Sequence, residues 1–462
     1  MAKTLATLLA ERAGENFELH DKHLNGQMVR VLKTIGYDRV YTKAKGPYLY
    51  DKDDNQYLDL LSGFGVFALG RNHPTVVAAL QEVLTGEMPD LVQMDVSLLS
   101  GLLAEKILSV CPGDLNRVFF CNSGAEAVEG AIKFARYTTK RQKILHCEHA
   151  FHGLTLGALS LNGEEVFKEG FGPLLPGCAA VPFNDLAALE KALAGKDVAA
   201  FFVEPIQGKG VNIPSDDYLP EAARLCKKYG TLFVADEIQA GLGRTGKMWA
   251  GDHWGLEPDM ILMAKALSGG FVPVGAVAMK QNIMDAVFNR MDRAVVHGST
   301  FSKNNMAMAA GLASMNVLIE EKVVENAARV GEALIAELRA LQPKYELLHE
   351  VRGKGMMIAM EFGAPKSLGL KASWGLLETA NKGLFSQTVT IPLFKNHRIL
   401  SQVAGHGMNV VKFLPPLVIT DQDKDWIVQA MDAVIADCHK PAAILDLAKN
   451  LASHAMKSKA GD

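Results

Sequence analysis

Between about residues 75 and 335, short and wholly apolar runs alternate with stretches of helical character, and this rhythm most restricts what the chain can fold into. Runs near 117, 143, 199, 231, 259 and 272 read as strands, and a helix is expected near 75–86. Strands lacking polar alternation are covered on both faces, and strand–helix repeats build a mostly parallel sheet layered by helices. From about 345 the pattern changes to strands over Leu347–Glu361, a helix near 372–386 and short strands near 398 and 409. Thr420-Asp421-Gln422-Asp423 then caps a closing helix. Residues 1–30 read as helical, and Gly46 to Leu60 as a hairpin turning at Asp53-Asp54-Asn55. A chain of 462 residues is expected to hold more than one domain. The expected fold class is α/β. A large domain over 62–335 carries the sheet, and a smaller α+β domain over 336–462 is joined by the N-terminal segment 1–61.

The ends of the strands carry the chemistry. Lys265 follows the apolar run Met260-Ile261-Leu262-Met263-Ala264 and precedes the turn Ala266-Leu267-Ser268-Gly269-Gly270. Burial disfavours an ammonium, so a lysine held there has a lowered pKa and suits Schiff-base formation with an aldehyde cofactor. A strand-end lysine that snorkels to water is the competing reading. Asp236 ends a second apolar run, Thr231 to Ala235, and 265 − 236 = 29 residues is about one strand–crossover–strand unit. Ligands of open α/β sheets bind outside the carboxyl ends of the strands, where both residues would lie. An amine and a carboxylate converging there suit pyridoxal phosphate: the lysine binds its aldehyde, and the aspartate keeps its pyridine nitrogen protonated.

The phosphate of such a cofactor needs a cradle. Arg117 to Cys121 reads as a strand, and a helix opening at Ser123 or Gly124 offers free N–H groups and a positive dipole end to an anion. Ser123 and Glu126 also have capping-box spacing, which needs no ligand. Phe151, before His152 and the turn residue Gly153, could lie on a heterocyclic ring or belong to the core. Gly241-Leu242-Gly243-Arg244-Thr245-Gly246 fits a dinucleotide fingerprint, but Asp236 to Ala240 separates it from its strand, against that motif's required context.

Charge and cysteine usage exclude several classes. A net charge of −3 gives no electrostatic footprint for nucleic acid or an anionic membrane. No apolar run reaches transmembrane length, and the stretch from Met1-Ala2-Lys3-Thr4 lacks the long apolar core expected of a signal peptide. Six scattered cysteines without Cys-x-x-Cys spacing argue for reduced thiols, no metal site and a cytoplasmic setting.

Together, Asn122-Ser123-Gly124-Ala125-Glu126-Ala127, Phe151-His152-Gly153, Val203-Glu204-Pro205-Ile206-Gln207-Gly208, Asp236-Glu237-Ile238-Gln239, Lys265, His297-Gly298-Ser299-Thr300-Phe301 and Pro415-Pro416-Leu417 resemble the class III pyridoxal-phosphate-dependent aminotransferases. The resemblance runs from about Gly46 to Thr420 and implies fold type I. It also implies roles. Lys265 would hold the cofactor aldehyde and move the substrate proton, and Asp236 would hold the ring nitrogen. Gln239 would reach the phenolic oxygen. Ile238 and Phe151 would pack on opposite ring faces, and Ser123, Gly124 and Ala125 would bind the phosphate. His152 and Glu204 would also lie at the cofactor. Thr300 would reach the phosphate of a neighbouring subunit, which implies a homodimer. Aminomutases, racemases and decarboxylases share the same fold and lysine.

For the substrate, the α-amino-acid-specific members often place an arginine shortly before Pro-Pro-Leu; here the position is Lys412. That departure counts against an ornithine-type reading, although an α- or ω-amino-acid aminotransferase of ornithine or 4-aminobutyrate type stays the alternative, and Lys412 either holds a carboxylate less specifically or lies at the surface. Arg398 is a second candidate clamp, whereas Arg352 fits a structural turn. Phe64 and Phe67 would line an apolar pocket, or else belong to the core. The expected reaction moves an amino group from an ω-amine, diamine or hydrophobic primary amine to pyruvate or 2-oxoglutarate by a ping-pong mechanism.

Overall fold

The computed structural model describes residues 3–440 apart from 93, 95 and 381. Residues 441–462 lie outside the described residues, and with them Lys457–Asp462, whose sequence reads as a frayed tail. The largest sheet has seven strands: β1 (Arg117–Cys121), β2 (Lys143–Cys147), β3 (Cys178–Val181), β4 (Val198–Val203), β5 (Leu232–Asp236), β6 (Met260–Met263) and β7 (Gly275–Met279). Their order is β1-β7-β6-β5-β4-β2-β3. Every residue of β4, β6 and β7 is buried, as befits strands covered on both faces.

Two features depart from the expected pattern. β3 is an additional strand, paired in parallel with β2 at the sheet edge. The strand expected near 272 is β7, and it runs antiparallel to both β6 and β1. The reason is the length of its link: Ala264–Val274 holds only the one-turn helix Lys265–Ser268, whereas a parallel crossover needs about a dozen or more residues and normally a full helix. The other neighbours, β2–β4, β4–β5 and β5–β6, are parallel.

Helix Gly124–Thr139 packs across β4, β6 and β7 with Ala127, Val128, Ala131, Ile132 and Ala135 buried. Helix Asn305–Glu320 packs against helices Pro74–Thr85 and Leu98–Leu108 and against the Lys265–Ser268 turn, so the turn bearing Lys265 is braced from behind.

Among the described residues there are two further sheets, each of four strands. In one, the hairpin Tyr48–Asp51/Gln56–Asp59 pairs with Tyr41–Lys45, and Ile399–Leu400 joins Gln56–Asp59 in parallel. Distant parts of the chain are thereby tied together. The other is antiparallel: Leu348–Lys354, Met357–Phe362, Val410–Phe413 and Gln402–Val403. The single helix expected near 372–386 is instead two, Leu368–Ala380 and Phe385–His397, separated by a link in which Gly383 has φ +79°. The N-terminal helical stretch likewise forms three short helices, Leu5–Glu11, Asn16–His23 and Gly26–Ile35. The closing helix Asp421–Cys438 starts in a capping box: Thr420 Oγ1 accepts from the Asp423 N–H, and the Asp423 carboxylate accepts from the Thr420 N–H.

Candidate active site

Five chemically able residues leave the sheet on one side because each ends or follows the carboxyl end of a strand, and β1, β2, β4, β5 and β6 all run in the same direction. Ser123 follows β1, Phe151 follows β2, Glu204 follows β4 directly, Asp236 ends β5, and Lys265 follows β6. Ladder register fixes their relative height: Val203 is opposite Ala235, and Asp236 is opposite Leu262. This rim is where open α/β sheets take their ligands.

Lys265 sits at φ +44°, a left-handed conformation unusual for a lysine. Burial lowers its pKa, partly opposed by the charges of Asp236 and Glu204. Asp236, 4% exposed, accepts at Oδ2 from His152 Nδ1 at 2.6 Å and at Oδ1 from the Ile238 N–H at 3.1 Å. Burial works against a charge on His152, yet the hydrogen bond and charge of Asp236, with Glu204 nearby, raise its pKa above the ordinary value. Nε2 of His152 is buried with no hydrogen-bond partner among the described residues. Glu204 accepts from the Phe151 N–H at 3.0 Å and the Gly208 N–H at 2.8 Å, and burial raises its pKa.

At the other end, helix Gly124–Thr139 opens at Ser123, whose Oγ accepts from the Glu126 N–H at 3.1 Å. Glu126 reaches back to the Asn122 N–H at 2.9 Å instead of that of Ser123. Gly124 lies in close contact with Ile238. A Cβ there would lie 3.0 Å from Ile238 Cδ1 and 3.1 Å from its Cγ2.

Two cavities meet across these residues. One of about 450 Å³ is lined by Ser123, Gly124, Ala125 and His152. The other, of about 650 Å³, is lined by Phe64, Glu204, Asp236, Gln239 and Lys412. Phe151, Ile238 and Lys265 line both.

A family model described as aminotransferase class-III matches residues 33–435. The chain is a class III aminotransferase. An ornithine aminotransferase of Bacillus cereus is 38% identical over 414 residues, covering 86% of this chain and 94% of that protein. The aminotransferase PigE of a Serratia strain is 32% identical over 452 residues, 91% of this chain, and this chain spans 53% of its length. The solved ornithine aminotransferase of Toxoplasma gondii has a TM-score of 0.80 at 31% identity, over 95% of this chain and 99% of that one.

Class III aminotransferases have fold type I and use pyridoxal phosphate. This aminotransferase's residues fit that group: a depressed lysine amine for its aldehyde, a carboxylate near that lysine, and a helix N-terminus whose Ser123, Gly124 and Ala125 line the adjoining cavity.

The remaining candidates in the aminotransferase separate. Gln239 lies between two elements, its Nε2 donating to the Phe64 carbonyl at 3.1 Å and its Oε1 3.4 Å from Lys412 Nζ. Lys412 is no surface lysine: it is 4% exposed, donates to the Gly208 carbonyl at 2.8 Å, and burial lowers its pKa to about 7. Phe64 is 55% exposed at the cavity wall. Phe67 lies outside both linings, under the Arg71 guanidinium at 4.1 Å from its ring centre. Arg398 is also outside them, an exposed residue at φ +55° that ends helix Phe385–His397. Its N–H caps that helix by donating to the Leu393 and Phe394 carbonyls, and its own carbonyl accepts from the Leu58 N–H. Thr300 is exposed and lines neither cavity. Arg352 is held by the Gly210 carbonyl at 2.7 Å and by Glu350 and Glu361. The Gly241–Gly246 stretch opens no helix; its Arg244 is buried against the Met356 and Pro415 carbonyls.

Sequence reading missed Lys209, Glu164, Phe167 and Leu154. Lys209, Phe167 and Leu154 line the larger cavity, and Glu164 pairs with Lys209 at 2.7 Å. All four lie in irregular segments or a one-turn helix, where no periodicity marks a face.

Proposed function

We propose that this aminotransferase moves an amino group from an ω-amine, diamine or hydrophobic primary amine to a 2-oxo acid, pyruvate or 2-oxoglutarate, by a ping-pong mechanism. The observation that carries the reading is a depressed lysine at the junction of a phosphate-suited cavity and a second cavity walled by Phe64, Phe151, Phe167 and Leu154. Those walls suit alkyl or aryl bulk. Among the described residues no arginine lines either cavity, which argues against a rigid bidentate grip on an α-amino acid.

When bound, pyridoxal phosphate supplies an aldehyde for amino exchange and a ring that accepts the electron pair left by a departing Cα proton. Lys265 Nζ would hold the aldehyde and, once displaced by the donor amine, take the Cα proton and return it across the cofactor. Asp236, fixed by His152, would hold a proton at the ring nitrogen. Ile238 and Phe151 would flank the ring, and Gln239 would reach its phenolic oxygen. Ser123, Gly124 and Ala125 would bind the phosphate through hydroxyl and N–H groups. Lys412 would fix the Gln239 carbonyl and close the substrate face. Thr300 would serve the neighbouring subunit's phosphate, making a homodimer the working unit. We propose the division 1–61, 62–335 and 336–462 for its domains. A cytoplasmic setting is supported by six free cysteines.

The test is the visible spectrum of the purified enzyme. A yellow band should bleach on adding putrescine or a hydrophobic amine without oxo acid, then return with pyruvate. A band that bleaches with ornithine alone would favour the second reading, an ornithine- or 4-aminobutyrate-type enzyme, which the name of the 38%-identical relative supports.

A further inference from the structure

A 2-oxo acid brings a carboxylate into a site whose lining residues include no arginine among those described. Three lysines line the larger cavity: Lys209, Lys265 and Lys412. Lys265 is committed to the cofactor. Lys412 is engaged with a backbone carbonyl and the Gln239 amide, and it is fully buried.

Lys209 differs in having a carboxylate as its partner. Its Nζ lies 2.7 Å from Glu164 Oε2, with the two side chains 11% and 16% exposed. The same Nζ stands 4.1 Å from the centre of the Phe167 ring, which packs edge-on against Phe151 at 5.7 Å. The backbone on either side of Lys209 is pinned. The Gln207 N–H donates to the Asn212 carbonyl at 3.1 Å, Gly208 to Glu204 at 2.8 Å, and the Gly210 carbonyl accepts from Arg352 at 2.7 Å. Glu164 comes from an irregular segment ahead of the one-turn helix Glu165–Phe167, and Glu164 itself is absent from the cavity lining. Lys209 thus lines the cavity while its Nζ is buried under Glu164 and the Phe167 ring, so a carboxylate entering the cavity would reach the ammonium by taking the place of Glu164.

We propose that Lys209 binds the carboxylate of the oxo-acid acceptor, and that Glu164 is the internal counter-ion this carboxylate replaces. The inference rests on the aminotransferase reading above. It explains how one cavity takes both halves of the reaction: a donor without a carboxylate meets a neutral ion pair and apolar walls, whereas the acceptor exchanges one carboxylate for another at Lys209. Burial on both sides keeps the pair from being screened as a surface pair would be.

The experiment compares holoenzyme variants with 2-oxoglutarate or pyruvate as acceptor and a hydrophobic primary amine as donor. Lys209→Gln should raise the acceptor KM about tenfold or more, the loss expected for a hydrogen bond to a charged group. Its donor half-reaction, followed by cofactor absorbance without acceptor, should change far less, and Lys209→Arg should restore most of the acceptor KM. Glu164→Gln, which removes the competing carboxylate and keeps the shape, should lower the acceptor KM. An unchanged acceptor KM in Lys209→Gln, or donor and acceptor reactions falling alike, would overturn the assignment in favour of a wall-building role. An acceptor KM that does not fall in Glu164→Gln would also count against it. An enzyme active only with amino-acid donors would sink the amine-donor reading, yet the acceptor KM of Lys209→Gln would still decide the role of Lys209.

Discussion

At the scale of single residues, the chemistry depends on side chains whose surroundings set their protonation. Lys265→Ala should abolish turnover with amine and oxo acid while leaving the thermal melt near that of the parent; retained turnover would remove Lys265 from the reaction. Asp236→Asn should keep the cofactor bound but cut kcat about a hundredfold or more, by loss of the charge that holds the ring proton. Lys412 gives a pH signature. Its folded pKa, about 7, lies below the ordinary lysine value of 10.5, because burial disfavours its ammonium. Below about pH 7 both folded and unfolded chains hold that proton, and the cost of the buried charge is fully felt. As pH rises from 7 towards 10.5 the unfolded chain keeps a proton that the folded one has lost, so stability climbs. Lys412→Met should therefore gain less stability than the parent between about pH 7 and 9 in denaturant titrations; equal gains would show that Lys412 titrates normally. Lys265 and Asp236 were legible in sequence because each breaks a wholly apolar run. Lys209 was not, because what distinguishes it is an ion pair with Glu164 from a separate loop, and no spacing rule encodes such a meeting.

At the scale of elements, the phosphate end rests on one helix start that has two jobs. Ser123 Oγ already accepts from the Glu126 N–H, so its cap contributes stability without any ligand, and its hydroxyl hydrogen is still available to donate. Ser123→Ala should cost about 1 kcal/mol of stability in the cofactor-free protein, the usual price of a lost N-cap. It should also weaken pyridoxal phosphate binding, measured as the rise in melting temperature on adding cofactor. A lower melt with an undiminished cofactor-dependent rise would leave Ser123 a cap and nothing more. The sequence showed this helix start plainly, since a strand, a Ser-x-x-Glu and a long small-residue helix follow in order. β3 was harder to see: Cys178–Val181 is four residues long and sits at the sheet edge. The direction of β7 was hidden for a different reason, because alternation suggests parallel strands and only the shortness of the Ala264–Val274 link forbids a crossover. The pair of helices around Gly383 read as one for want of a visible break, and Pro392 inside Phe385–His397 further obscured the second.

At the scale of the molecule, Thr300 is the one cofactor-site candidate that the single chain leaves on its outside. Its segment is nonetheless attached to the cradle: Ser299 Oγ accepts from Asn122 Nδ2 at 2.6 Å, and Asn122 precedes Ser123. Beside it, Met94 and Val295 are 84% and 80% exposed and line a shared hollow of about 270 Å³ with His297 and Ser299. Val96, 99% exposed, and Phe301, 63% exposed, add to the apolar surface near these segments. Exposed apolar area of this kind is a feature of surfaces that pair. In a symmetric dimer the same patch would serve both copies. If this surface joins two copies, Val295→Asp should place a charge in the contact, shift sedimentation from paired to single chains, and cost the enzyme much of its bound cofactor. Thr300→Ala should leave the sedimentation unchanged and lower cofactor retention only, because it deletes one hydroxyl and no apolar area. A Val295→Asp protein that still sediments as pairs would move the interface elsewhere. Paired chains with full cofactor retention in Thr300→Ala would separate assembly from the completion of the phosphate site.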